Sequence, residues 1–133
     1  MGTPGAPEGV TLSRGGTEEL SRMAVYVDQA QHRYGRMLMC HLLADTPAEL
    51  HAMVDRIGVA RRWYQHSAST PHYDIAKSKR ALAVAQGAIE VDRTELAAII
   101  HRIHDGIRER TSIGLAWAED ILRHKRARGP VQS

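Results

Sequence analysis

Between residues 23 and 124 the apolar positions fall into two kinds of pattern, short β-branched runs and longer stripes at helical spacing. Ala24-Val25-Tyr26-Val27-Asp28 is β-branched and aromatic and predicts a first strand. The polar stretch 29–36, which includes Gly35, predicts a loop. Met37 to Leu43 is a nearly unbroken apolar run interrupted by His41, short enough to be a buried strand. Thr46-Pro47-Ala48-Glu49 then combines a hydroxyl N-cap, proline in the first helical position and glutamate three residues after the cap. Leu50, Met53, Val54 and Ile57 line one face of the helix this announces, and Gly58 ends it.

The second half repeats the alternation. A short strand is expected around Arg62-Trp63-Tyr64-Gln65, then a Ser/Thr/Pro loop from His66 to Pro71. Asp74 is expected to cap a helix from about Ile75 to Gln86, closed by Gly87, and Ala88-Ile89-Glu90-Val91 reads as a last strand. Asp92 and Glu95 form a second capping box, ahead of a stripe made by Leu96, Ile99, Ile100, Ile103 and Ile107. A final helix from about Ile113 to His124 carries Trp117, Ala118, Ile121 and Leu122 on one face. The order ββαβαβαα predicts a small α/β fold: a mixed sheet of about four strands with crossover helices, followed by two C-terminal helices.

Residues 1–22 are rich in Gly, Pro, Thr and Ser and lack a sustained apolar pattern, so they read as a disordered extension. The expected division is therefore 1–22 as extension, 23–92 as the α/β core, and 93–133 as a helical segment with a basic tail. A length of 133 residues suits one domain, and 43% apolar with 25% charged residues is ordinary for a globular chain. No apolar run approaches the length of a membrane span and no secretory leader pattern is present, so the expected location is cytoplasmic. A lone cysteine, Cys40, excludes an internal disulfide and a cysteine-based zinc site. The net charge of +3 is concentrated late, in Arg123, Lys125, Arg126 and Arg128, which permits contact with nucleic acid without requiring it.

The stretch His72-Tyr73-Asp74-Ile75-Ala76-Lys77-Ser78-Lys79-Arg80 holds the most chemistry. Cations in the first turns of a helix oppose its dipole, and such local conflicts concentrate at functional sites. Lys77, Ser78, Lys79 and Arg80, with free backbone N–H groups, are therefore expected to bind an anion. Asp28 and Gln65 stand at other strand ends that could converge there. Tyr26 and Trp63 could stack on a base, although aromatics at strand positions are more often core. His41 and His72 with either Asp28 or Asp74 could form a general acid/base set, for which His72, Asp74 and His41 are the candidates. No cofactor is assigned, and no metal ligands. His72 and Asp74 with a later histidine match a two-histidine, one-carboxylate pattern only formally, since His101 and His104 fall on a helix. P-loop, GxGxxG, GxSxG and HExxH signatures are absent.

MAVYVD, GRMLMCHLLADTPAELHAMVDRIGV, RRWYQ and HYDIAKSKRALAVAQGAIEV follow one another at short intervals. Over residues 23–92 the chain resembles a small family of bacterial and phage proteins known as domain of unknown function 4031. That resemblance implies a domain boundary near Met23 and carries no reaction, cofactor or partner. Two functions remain open from the residues. One is binding of a phosphate-bearing ligand, a nucleotide or nucleic acid, with phosphoester or glycosidic hydrolysis. The other is a non-catalytic adaptor engaging a protein partner through its C-terminal helices, with Trp117, Ile121 and Leu122 as anchors.

Overall fold

The structure is a computed structural model that describes residues 24–29 and 32–128; the expected N-terminal extension lies outside them. Eight-residue β3 (Met37–Ala44) is the centre of the sheet. β1 (Val25–Val27) runs antiparallel to its C-terminal half, with Val25 opposite Ala44 and Val27 opposite Leu42. β2 (His32–Tyr34) runs antiparallel to its N-terminal half, with His32 opposite Met39. β4 (Tyr73–Ala76) pairs antiparallel with Met39 to Leu42. Leu42 is thus flanked by both Val27 and Tyr73, and Met39 by both His32 and Ala76, so β1 and β2 share one edge of β3 while β4 takes the other. β5 (Ile89–Glu90) lies parallel to β1 and makes the sheet mixed, as the α/β reading requires.

α1 (Pro47–Ile57) forms where the sequence signals it. The Thr46 hydroxyl accepts from the Glu49 N–H at 3.2 Å, and Gly58 closes the helix at φ 79°. Leu50, Met53, Val54 and Ile57 are buried against Val25, Val27, Leu42 and Ile75 of the sheet. α3 (Arg93–Glu109) starts on a complete capping box: Asp92 accepts from the Glu95 N–H, and the Glu95 side chain accepts from that of Asp92. α4 (Ser112–Arg128) continues past the expected end at His124. No helix among the described residues is long and apolar enough to cross a membrane.

Three local expectations are corrected. Residues 32–34, where the polar sequence predicts a loop, form β2, joined to β3 by a two-residue turn in which Gly35 adopts φ 62° while Arg36 keeps a negative φ. Glycine in the first central position suits the turn twist that tight hairpins need. Arg62 to Gln65 is no strand: Arg61–Trp63 is a single 3-10 turn, and Gln65 makes only an isolated bridge to His72. Asp74 caps no helix. It is the second residue of β4, and α2 (Lys77–Ala85) begins directly after Ala76, which supplies no side-chain cap.

Candidate functional site

The register of β3 decides the site. His41 lies opposite Asp74 of β4, and on its other flank the Asp28 N–H donates to the His41 carbonyl, extending the β1 ladder by one residue. Residues opposed across strands project from the same side of a sheet, so Asp28, His41 and Asp74 form one cross-strand row. The Asp28 carboxylate grips His41 twice. One oxygen accepts from the His41 backbone N–H at 2.8 Å and the other lies 2.6 Å from Nδ1. An ionised carboxylate only accepts, so Nδ1 carries the proton. That hydrogen bond raises the His41 pKa above the ordinary imidazole value; burial opposes it, and the charges of Asp28 and Asp74 add to it.

His41 Nε2 then faces Asp74 Oδ1 at 3.8 Å. Two further imidazoles approach the same oxygen, His72 Nε2 at 3.3 Å and His32 Nε2 at 3.7 Å. His72 is held by its other nitrogen, which lies 2.7 Å from the Thr70 carbonyl. A carbonyl accepts only, so here too Nδ1 is the protonated nitrogen. Thr70 is in turn fastened to α3, since His104 Nε2 stands 2.8 Å from the Thr70 hydroxyl and 2.6 Å from the Ser69 carbonyl. The expected acid/base residues His41, His72, Asp28 and Asp74 are therefore brought together. His32, in a stretch whose polar sequence predicts a loop, is added to them by the hairpin.

A hollow of about 560 Å³ opens beside this cluster, lined among others by His32, Asp74, Trp63, Gln65, Ser78 and Lys79. Trp63 is half exposed in its wall and not core, with the Arg62 guanidinium 5.3 Å from the ring centre. The four expected anion-binding residues are dispersed by comparison. Lys79 Nζ donates to the Ile57 carbonyl at the end of α1, at 3.0 Å. Arg80 donates to the Asp28 carbonyl and to Glu90, which fixes the end of β1. Lys77 and Ser78 are exposed at the start of α2. Arg80 thus positions Asp28, a link invisible without the fold.

Tyr26 belongs elsewhere. Its hydroxyl donates to Asp45 and accepts from Arg102, in a second, larger hollow of about 840 Å³ between β1 and helices α3 and α4. Asp45 also accepts there from Arg102 and from the Ala24 N–H. In a second histidine cluster, His51 and Asp120 are buried in the core and His124 is partly exposed at its rim. Asp120 accepts from the Tyr64 hydroxyl at 2.7 Å and lies 3.2 Å from His51 Nε2, while His51 Nδ1 is 2.9 Å from the Tyr73 hydroxyl. That network ties α4 to α1 and β4. Cys40 is buried with its thiol pKa raised by burial, as befits a small apolar residue.

A family profile described as "Protein of unknown function (DUF4031)" matches residues 25–103. The chain belongs to this family. The DUF4031 span contains all five strands and α3 as far as Ile103, beyond the expected end at residue 92, and Ile99 and Ile103 are indeed buried in the shared core. Asp28, His32, His41, His72 and Asp74 all lie inside it, whereas Asp120 and His124 do not. Neither a curated protein nor a solved structure matches the chain.

Proposed function

We propose that this DUF4031 protein binds a phosphate-bearing ligand, a nucleotide or the end of a nucleic acid, in the smaller hollow and hydrolyses a phosphoester or glycosidic bond there. The observation that carries this reading is the meeting of three imidazoles at the Asp74 carboxylate, with Asp74 and His32 lining a hollow that also presents Trp63, Gln65, Ser78 and Lys79. His72, with Nδ1 engaged by the Thr70 carbonyl, offers Nε2 for proton transfer, and its pairing with Asp74 orients it. Trp63 gives a flat apolar surface on which a base stacks. Lys79 and the uncapped first turn of α2 supply the positive end for an anion.

The test is thermal unfolding of the full chain against mono- and dinucleotides, short DNA and RNA, and inorganic phosphate. A ligand that binds only the folded state at a hundred times its Kd adds about 2.7 kcal/mol, a rise of about 5 °C or more in Tm. Trp63→Ala is expected to remove that rise. His72→Asn is expected to keep it while abolishing hydrolysis of the ligand found. No rise with any of these compounds, in a chain that melts cooperatively, overturns the reading.

The adaptor reading retains one observation. Leu115 and Leu122, seven residues apart on α4, are each about half exposed, at 52% and 51%. It loses its main anchor, because Trp117 is fully buried and its Nε1–H donates to the Asp45 carbonyl. Under the first reading a Leu115→Glu/Leu122→Glu variant leaves the ligand-induced rise intact.

A further inference from the structure

Asp74 Oδ1 is buried and accepts no hydrogen bond from any described residue, yet three imidazole nitrogens stand around it at 3.3 to 3.8 Å. A buried carboxylate oxygen left this way is costly, and a single shared proton would draw one imidazole into a hydrogen bond of about 2.8 Å. All three instead stay beyond that distance. Donor atoms bound at about 2.1 Å to a tetrahedral ion are separated by about 3.4 Å, close to the 3.7 and 3.8 Å between Asp74 Oδ1 and the Nε2 atoms of His32 and His41. The donors of His32, His41 and Asp74 all lie within 4.8 Å of one another. The His32 and His41 rings are stacked with centres 4.8 Å apart, where two imidazolium rings would repel.

We infer that His32 Nε2, His41 Nε2 and Asp74 Oδ1 hold a divalent first-row transition ion of the zinc class. Two imidazoles and one carboxylate make a nitrogen-rich donor set that disfavours magnesium and calcium, which take oxygen ligands. Asp28 completes the arrangement from behind. It accepts from His41 Nδ1–H, the outer partner that metal-bound histidines typically have, and so aims Nε2 at the ion. Three protein ligands leave a coordination position open, and both His32 and Asp74 face the hollow in which the substrate is proposed to sit. The ion would lower the pKa of a water bound there, leaving His72, beside Asp74, as the proton carrier. The inference names the cofactor of the proposed hydrolytic centre and rests on that reading for its chemistry, whereas ion binding is measured without any substrate.

The experiment is calorimetric titration of the metal-stripped full chain with Zn²⁺, and with Mg²⁺ as comparison, followed by Co²⁺ absorption spectra. The expected result is one Zn²⁺ per chain, no heat with Mg²⁺, and Co²⁺ visible bands that mark nitrogen–oxygen coordination of low number. Asp74→Asn and His32→Gln are expected to weaken Zn²⁺ binding by about 100-fold or more, and Asp28→Asn by about 10- to 100-fold. His124→Gln, in the second cluster, is expected to leave it unchanged. His32 lies on an edge strand and is partly exposed, so its variant folds even where Asp74→Asn does not. Zn²⁺ binding unaffected by His32→Gln, binding lost in His124→Gln, or no binding at all overturns the inference. One bound ion with no ligand-induced stabilisation overturns the proposed function alone; ligand-induced stabilisation without an ion overturns the metal site alone.

Discussion

His51 is the residue whose surroundings most clearly set a pH response. Its ring is enclosed by Asp120 and His124 of α4, Tyr73 of β4 and Tyr64, with Arg61 nearby. Burial lowers its pKa below the ordinary value; hydrogen bonding to and the charge of Asp120 oppose this, while His124 and Arg61 reinforce it. The folded chain thus favours the neutral ring and the unfolded chain binds the proton more readily. Stability from this group is fully present above the unfolded pKa of about 6.5 and is lost as pH falls below it, by at most about 1.4 kcal/mol per pH unit. His51→Leu is expected to be less stable than the natural chain at pH 7.5, and the gap is expected to narrow toward pH 5 in urea melts at stepped pH. A gap independent of pH would show that His51 titrates alike in both states. Residues of this kind were only partly legible. His41 stood out because a polar side chain broke an apolar run, and Asp28, His72 and Asp74 because they ended or began segments. His32 and His51 carried no such signal, since their roles come from strands and helices remote in sequence.

At the scale of elements, the α3–α4 hairpin turns on two glycines. A Cβ placed on Gly114 would overlap the Gly106 carbonyl oxygen, so the helix backbones touch there with no room for a side chain. Gly106 differs, because its Cβ would meet the movable Thr111 hydroxyl at 3.1 Å. Gly114→Ala is expected to cost about 3 kcal/mol, the upper range of overpacking, and Gly106→Ala to stay within about 1 kcal/mol because its helical propensity gain offsets the tight contact. Equal effects in chemical denaturation would contradict the geometry. Helices with caps and stripes, α1 and α3, were readable to within a residue or two. β2 was not, because an edge strand of three polar residues has no buried face and hence no alternation. The start of α2 was misplaced because β4 runs into it with no loop, and four residues of period-two burial are too few to separate from a helical turn. The neighbours of Asp74 were hidden for the same reason: as a strand residue and not a helix cap it stands opposite His41, a pairing that only the register of β3 and β4 makes.

The whole molecule extends beyond the family span in a way that bears on how it can be dissected. α4 lies outside residues 25–103, yet it contributes Trp117, fully buried, and Asp120, nearly so, to the core that the DUF4031 span builds. Trp117 reaches the Asp45 carbonyl between β3 and α1, and Asp120 receives the Tyr64 hydroxyl and His51. Removing α4 would therefore uncover the side of the core formed by α1 and β1 and leave buried polar groups without partners, rather than trim an appendage. Trp117→Ala is expected to lower stability by about 3–5 kcal/mol, the usual cost of emptying a buried aromatic site. A chain ending at residue 110 is expected to lose its sharp thermal transition. The carboxylate–imidazole row depends on the same framework: His104 of α3 secures Thr70, and Thr70 secures His72. Ligand and metal binding should accordingly disappear in the shortened chain together with cooperativity, while Trp117→Phe, which keeps most of the buried ring, is expected to retain both. A truncated chain that melts sharply and still binds would mean that α4 is separable and that the core closes without it.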